Sequence, residues 1–314
     1  MRVLVTGATG FVGRALVPML TQAGHDVTIT VRYGPSADHL KNVRLQNIGE
    51  IGPETNWQEA LKNIDAVIHL AGRAHVMTES ESDPLAAYRR INRDGTKRLA
   101  EAAADAGVKR MVFLSSIKVN GERTSIQPYR ESDTPQPEDA YGQSKWEGEQ
   151  ALRDVPGLET VVVRTPLVYG PHVKGNFRSL LNICARALPL PLGGLQNSRS
   201  LIYVGNLADA LITCLTHPKA TDHLYLVRDG DDVSTTALIK STAQALGKKA
   251  CLFPAPRILL RIGGAVTGKS GMASRLIESL EIDDSAFQRD LDWTPPFTMV
   301  QGLTETATWF RSLK

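Results

Sequence analysis

Three cysteines, Cys184, Cys214 and Cys251, are all that the 314 residues provide, and no two of them form a Cys-x-x-Cys pair. That scarcity excludes a disulfide-framed scaffold and a cysteine zinc site, and it suits reduced thiols in a cytoplasm. No other metal site is expected. Net charge is also small: 36 Lys and Arg against 33 Asp and Glu leave +3, too little to mark a nucleic-acid surface, although small anionic ligands stay open. No apolar run reaches the ~18 residues needed to span a bilayer. The first strand begins at residue 2, so no signal peptide is expected before it. The chain has no internal repeat and no low-complexity tail. What is left, 42% hydrophobic and 22% charged, is an ordinary globular composition, long enough for one large α/β unit or two domains.

Glycine is where the sequence becomes informative. Residues 2–6 are a short β-branched run suited to a buried parallel strand, and Phe11, Val12, Ala15, Leu16, Met19 and Leu20 then follow helical spacing. Gly7, Gly10 and Gly13 stand at the switch. Lacking Cβ atoms, Gly7 can make the turn, Gly10 can admit a pyrophosphate to the backbone, and Gly13 can let helix and strand pack closely, while free N–H groups at the helix start face an anion. This is a dinucleotide phosphate cradle, with the spacing Gly-x-x-Gly-x-x-Gly; the bland alternative is a glycine-rich βα turn.

Residues 25–31, 43–48 and 63–70 read as further strands. After the second, about 20 residues past the glycine turn, an acidic residue would bind a ribose 2′-hydroxyl. Arg32 stands there instead and suits a 2′-phosphate, so NADP is expected, with NAD the alternative. Leu70, Ala71, Gly72 and Arg73 lie at the end of a strand, where ligands of open parallel sheets bind. Residues 84–106 carry a long helical pattern closed by Gly107. Inside it a buried Asn92 would need partners near the active-site strand. Residues 109–116 form a fifth strand that delivers Ser115 and Ser116 to its C-terminal edge, and residues 120–140 read as a loop over the site.

Tyr141-Gly-Gln-Ser-Lys145 is followed by a helix over residues 146–153, and its i,i+4 spacing puts Tyr141 and Lys145 on one face. A lysine beside a phenol favours phenolate, so the Tyr141 pKa is expected to fall towards neutrality. Its hydroxyl could then exchange a proton with a substrate oxygen that Ser116 also hydrogen-bonds.

With these residues in place, the chain resembles the extended short-chain dehydrogenase/reductases. The likeness rests on Thr6-Gly-Ala-Thr-Gly-Phe-Val-Gly13, Leu70-Ala-Gly72, Ser115-Ser116, Tyr141-x-x-x-Lys145 and Arg164-x-x-x-Val168-Tyr-Gly-Pro171. Within that superfamily it is similar to the nucleotide-sugar epimerase/dehydratase group. The resemblance implies an α/β fold, a doubly wound parallel Rossmann sheet with a smaller C-terminal domain for the substrate. The dinucleotide domain would take residues 1–165, with 199–228 returning to it, and residues 166–314 would mainly hold the nucleotide sugar. It also implies a cytoplasmic homodimer.

By motif, Ser116, Tyr141 and Lys145 match the catalytic set, Lys145 also the ribose contact, and Pro166, Leu167 and Val168 the nicotinamide segment. Asn176, in Gly175-Asn-Phe177, resembles the residue at the uridine diphosphate, and Arg199 the diphosphate clamp, with Lys118 on the substrate side. Arg275 is a weak match for a second phosphate-binding arginine. The family's Gly-Asp adenine motif is missing around Gln46-Asn47-Ile48, and its Asp in the segment after Arg199 is Asn206 here. Residues 252–262 can be read as an amphipathic membrane-surface segment, although packing within the small domain or against a twin subunit is favoured for so short a stretch. Residues 291–296 followed by a helix to Phe310 resemble the family's C-terminus.

Two function classes follow from the resemblance: an enzyme, or a silent dinucleotide-binding sensor. Retention of Ser116, Tyr141 and Lys145 favours the enzyme. Arg32, and Lys118-Val-Asn-Gly121 where epimerases tend to show Thr-Val-Tyr-Gly, favour an NADP-dependent 4-keto reductase over an NAD-dependent 4-epimerase. The whole chain looks most like the bacterial reductases of UDP-2-acetamido-2,6-dideoxy-4-keto-hexoses that serve surface-polysaccharide synthesis.

Overall fold

The structure, a computed structural model, describes residues 1–33, 40–74, 83–266 and 270–313. The chain opens with β1 (Arg2–Thr6), α1 (Phe11–Gln22), β2 (Asp26–Val31), β3 (Arg44–Asn47) and β4 (Ala66–His69). There follow α2 (Pro84–Arg89), a π-helical turn (Arg90–Gly95), α3 (Thr96–Asp105), β5 (Arg110–Ser116), α4 (Ala140–Arg153) and β6 (Glu159–Thr165). The remainder holds β7 (Leu167–Tyr169), α5 (Gly175–Ala185), β8 (Leu190–Gly193), β9 (Leu201–Tyr203), α6 (Val204–Thr216) and β10 (His223–Leu226). Last come α7 (Thr235–Ala245), β11 (Leu252–Pro254), α8 (Arg257–Val266), α9 (Ser270–Ile277), α10 (Ser285–Leu291) and α11 (Met299–Arg311).

Seven strands make one parallel sheet in the order β10-β6-β5-β4-β1-β2-β3. Helices cover both faces, which is why β1, β4 and β5 read as nearly continuous apolar runs with no polar alternation. The chain moves outward from β1 to β3 and then restarts at β4 on the other side of β1. That reversal opens a crevice beyond the C-terminal ends of β1 and β4, where ligands of doubly wound sheets bind. The expected fold class is therefore the observed one.

A second core gathers Tyr169, Phe177, Tyr203, Leu303 and Phe310 beside two small parallel sheets, β7 with β9 and β8 with β11. The chain crosses between the cores more than once. β10 pairs with β6, and Phe287, Leu291 and Trp293 pack among Val161, Val163 and Tyr225 of the first core. The Trp293 indole N–H donates to Asp209 at 2.7 Å. Asn206 closes this joint from inside, donating to Asp229 (2.7 Å) and the Phe297 carbonyl (2.8 Å) and accepting from the Phe297 N–H (2.9 Å).

Two local expectations change. The helix over 84–106 is not uniform: Arg90–Gly95 widens into a π turn, which rotates Asn92 inward, where it is 1% exposed. The helix of Tyr141 begins earlier than residue 146, at Ala140, because the Asp139 side chain accepts from the Gly142 N–H at 2.7 Å and caps it. Residues 120–139 do form a loop, and the main chain of Thr124 and Tyr129 ties it to Ser279 and Glu281.

The π turn and α4 touch backbone to backbone. A Cβ at Gly148 would stand 2.4 Å from the Asn92 carbonyl oxygen. Gly148→Ala gains at most ~1 kcal/mol of helix propensity but overpacks a contact that cannot yield, at about 1–3 kcal/mol. We expect the variant to melt below the parent in a thermal unfolding scan; an equal or higher Tm would mean that α4 can move away freely.

Candidate active site

The glycine turn follows from β1 being buried on both sides. Gly7 has φ +71°, and a Cβ there would lie 2.7 Å from the Ala71 nitrogen, so the ends of β1 and β4 meet at a distance open only to glycine. At Gly13 a Cβ would fall 2.4 Å from the Ala8 carbonyl oxygen, which fixes α1 against its own strand. Gly10 is the N-cap of α1 and offers no side-chain cap, so the first N–H groups, including those of Phe11 and Val12, remain for an anion. A cradle that any side chain would fill, at the positive end of a helix, fits the diphosphate of a dinucleotide.

The rest of the crevice is assembled around it. Leu70, Ala71 and Gly72 leave β4, and Arg32 is exposed immediately beyond β2. Pro166 and Val168 leave β6, with Val168 packed where Phe11, Val12 and Ala15 meet the second core. Asn92 binds the Arg73 backbone in both directions, accepting from its N–H (2.8 Å) and donating to its carbonyl (3.0 Å). Its second amide hydrogen goes to Ser144 Oγ at 3.0 Å, and Ser144 donates to the Tyr141 carbonyl. The Asn92 side chain is thus spent within the protein, pinning the β4 loop to the first turn of α4.

Ser116 ends β5, where its hydroxyl accepts from the Lys118 N–H at 3.3 Å and lies on the side of the Tyr141 phenol. One turn along α4, Lys145 is 4% exposed and its Nζ lies 3.7 Å from the centroid of Phe113. The expected ionisation is corrected here. Burial dominates and pushes Tyr141 up to about 12, opposed by the neighbouring Ser116 hydroxyl. It is Lys145 that moves towards neutrality: burial pushes its ammonium down to about 7, with Glu149 acting the other way. Proximity alone suggested a lysine acting on a phenol, but loss of water is the largest influence on both groups.

Beneath this row lies a network that sequence reasoning missed. Glu149, 0% exposed, receives the Arg164 guanidinium at 3.0 and 2.6 Å and the Ser115 hydroxyl. Arg164 also donates to Asn120 Oδ1 at 2.9 Å. The available signal was the i,i+4 step from Lys145 to Glu149 on the same helix face.

On the substrate side, Asn176 is exposed in the first turn of α5. Arg199 is half-buried, donating to the carbonyls of Arg275 (2.8 Å) and Glu278 (3.1 Å). Burial, and next the Arg275 charge, lower its pKa. The weakest of the sequence matches, Arg275, is therefore brought beside Arg199. Glu122 bridges this pair to the loop, meeting Arg275 at 3.3 Å and Lys118 at 2.6 Å. Lys118 also pairs with Asp139, the cap of α4. Among the described residues, no cluster of His, Cys, Asp or Glu could hold a metal ion.

A glycine cradle at a sheet reversal, with a serine, a tyrosine and a lysine converging beside it, defines an enzyme of the extended short-chain dehydrogenase/reductase type. The sequence pattern of the NAD dependent epimerase/dehydratase family matches residues 3–227, and the chain belongs to that family. A UDP-glucose 4-epimerase of Vibrio cholerae is 42% identical, covering 98% of this chain and 95% of that protein. An N-acetyl-alpha-D-glucosaminyl-diphospho-ditrans,octacis-undecaprenol 4-epimerase of Escherichia coli O157:H7 is 27% identical over 97% of this chain and 93% of that protein. The structure of MoeE5 in complex with UDP-glucose and NAD superposes with a TM-score of 0.78 at 27% identity, covering 100% of both chains. The special likeness expected to 4-keto reductases is not what these relatives carry; those named here for an activity are 4-epimerases.

The Lys145 shift has a definite sign in stability. Its folded pKa, about 7, lies below its ordinary 10.5, so the unfolded chain binds more protons between those values and stability gains with rising pH there. The gain is at most about 1.4 kcal/mol per pH unit. Denaturant unfolding of the parent and of Lys145→Met at pH 7 and pH 9 should show the parent gaining on the variant with pH. Parallel pH dependences would put the ammonium in water.

Proposed function

We propose that this protein moves a hydride at C4 of a UDP-linked sugar, with Tyr141 exchanging the proton on the C4 oxygen. The observation that carries this reading is the convergence of Ser116 at the end of β5 with Tyr141 and, one turn on, Lys145 of α4, beside the glycine cradle. Gly7, Gly10, Phe11, Val12 and Gly13 would receive the dinucleotide diphosphate, Leu70, Ala71 and Gly72 its other wall, and Pro166 and Val168 the ring that carries the hydride. The bound dinucleotide supplies a hydride acceptor or donor; everything else is asked of the chain. Ser116 and Tyr141 would hold the C4 oxygen, where charge develops as the carbonyl and alcohol interconvert. Lys145 would bind the ribose and support the phenol, and Asn92 is a positioning residue. Asn176, Arg199, Arg275 and Lys118 would hold the nucleotide and its diphosphate, the two arginines as charged donors.

Two outcomes share this half-reaction. Net reduction of a 4-keto-2-acetamido-2,6-dideoxy sugar for surface polysaccharide is favoured by Arg32, exposed where a dinucleotide's 2′-phosphate would sit, and by Lys118 and Asn120 in the loop after Ser116. Epimerisation at C4, in which the cofactor is kept and the keto sugar turned over, is favoured by the 42% identical Vibrio cholerae relative. Purified protein given NADPH and a UDP-4-keto-6-deoxy sugar is followed by absorbance of the reduced cofactor. Stoichiometric oxidation supports reduction; interconversion of UDP-hexoses with no net oxidation supports the epimerase; neither reaction overturns the proposal.

Tyr141→Phe keeps the ring and removes the proton. We expect turnover to fall roughly 10²–10⁴-fold with little change in dinucleotide affinity, and a variant of near-parent turnover would move the proton transfer elsewhere.

Arg32 makes a separate prediction. Titration calorimetry should find NADPH bound more tightly than NADH, with the order reversed in Arg32→Asp. Equal affinities in the parent would remove the 2′-phosphate contact and strengthen the epimerase reading.

A further inference from the structure

Charge is distributed unevenly along this nearly neutral chain. Residues 233–277 carry seven Lys and Arg and not one of the 33 Asp and Glu. The same stretch holds β11 and α8, whose apolar side chains only partly enter the second core. Leu252 and Leu260 pack there, while Phe253 (48% exposed), Ile258 (66%), Leu259 (58%) and Ile262 (53%) point to water. Ile258 and Ile262 stand one helical turn apart, with Leu259 beside them.

Basic groups flank this patch along the chain. Lys248, Lys249, Arg257 and Arg261 are exposed. Among the described residues, no acidic group pairs with Lys248, Lys249 or Arg257, whereas Arg261 meets Glu278 at 3.4 Å. Below α8 a cleft of about 300 Å³ is lined by Arg123, Arg257, Arg261 and Asn197, with Glu278 its one carboxylate. Apolar side chains on a helix with arginines at their edge and in the cleft beneath, against the one carboxylate of Glu278, make an amphipathic surface that is mainly basic.

We infer that β11 and α8 form a docking surface for an anionic lipid bilayer. Phe253, Ile258, Leu259 and Ile262 enter the boundary between headgroups and acyl chains, and Lys248, Lys249 and Arg257 meet lipid phosphates. No helix of the described residues is long and apolar enough to cross a membrane, so the contact is peripheral. A second copy of the chain is the weaker occupant. Pairing two such faces by a twofold axis sets the same cations against each other, whereas an anionic surface neutralises them. The surface borders the substrate half, because the chain leaving α9 at Ile277 runs into the carbonyl of Glu278 that holds Arg199. It is independent of which reaction the site performs.

The test uses the intact protein in vesicle flotation, with vesicles of phosphatidylcholine alone and of phosphatidylcholine mixed with phosphatidylglycerol. We expect flotation with the anionic vesicles only, weakened by salt. The double variant Ile258→Ser/Ile262→Ser should bind about tenfold more weakly at an unchanged melting temperature. Arg257→Glu should weaken binding without touching the apolar side chains. Equal flotation with neutral vesicles, none with anionic ones, or parent-like binding by both variants overturns the proposal. So does a parent dimer in light scattering that the serine variant converts to monomer, which would assign the face to subunit contact.

Discussion

A carboxylate shut away from solvent joins the segments that carry the reactive groups. Glu149 lies on the helix of Tyr141 and Lys145, Ser115 precedes Ser116 at the end of β5, Arg164 belongs to β6, and Asn120 follows Lys118 in the loop. Burying such a charge is tolerable only when every partner is present. Removing one partner of a buried pair typically costs about 3–5 kcal/mol, because the other is left uncompensated. The network therefore has little freedom, and the hydroxyls and ammonium above it inherit that rigidity. An interaction that adds little net stability can still fix geometry, and geometry is what proton transfer at a bound oxygen requires.

The same absence of water sets the electrostatics one layer up. Tyr141 is held protonated to high pH and Lys145 is near the point of losing its charge at pH 7. Tyr141 is thus held neutral and Lys145 poised between its two forms, so charge arriving or developing in the crevice is met by groups that respond to it. Lys145 keeps a partial replacement for solvent in the face of Phe113 and the field of Glu149, and Tyr141 in the Ser116 hydroxyl.

The parts legible in the sequence were those governed by local rules. β1 and its glycine turn, the strands of the main sheet, the pairing of Tyr141 with Lys145 and the arrival of Ser116 at a strand end all follow from periods of two or 3.6 residues and from the need for missing Cβ atoms. The π turn was hidden because Asn92 is drawn inward by Arg73 and Ser144, residues remote in sequence. Nothing around Gly148 in the sequence marks it as the point where a second backbone, at Asn92, lies against α4. Asn206, a departure from the family's aspartate, is a buried joint between α6 and the irregular segment entering α11. Trp293 in the first core, and Arg275 beside Arg199, are contacts made across the whole chain that no window of residues contains. The direction of the Tyr141 shift failed for a related reason: sequence distance gives the neighbour but not the loss of water.

The strand order also dictates when the molecule can exist. β6 is complete at Thr165, yet its free edge is covered only by β10, beginning at His223, and the first core closes only when Phe287 and Trp293 arrive. At elongation rates of about 5–20 residues per second β10 trails β6 by roughly 3–12 s. Through that interval the nascent chain presents an unpaired parallel edge rich in valine, a template for aggregation. So high a share of distant contacts makes folding slow. The C-terminal residues are then a condition for the N-terminal sheet, and shortening the chain from that end should release insoluble protein and no smaller folded domain.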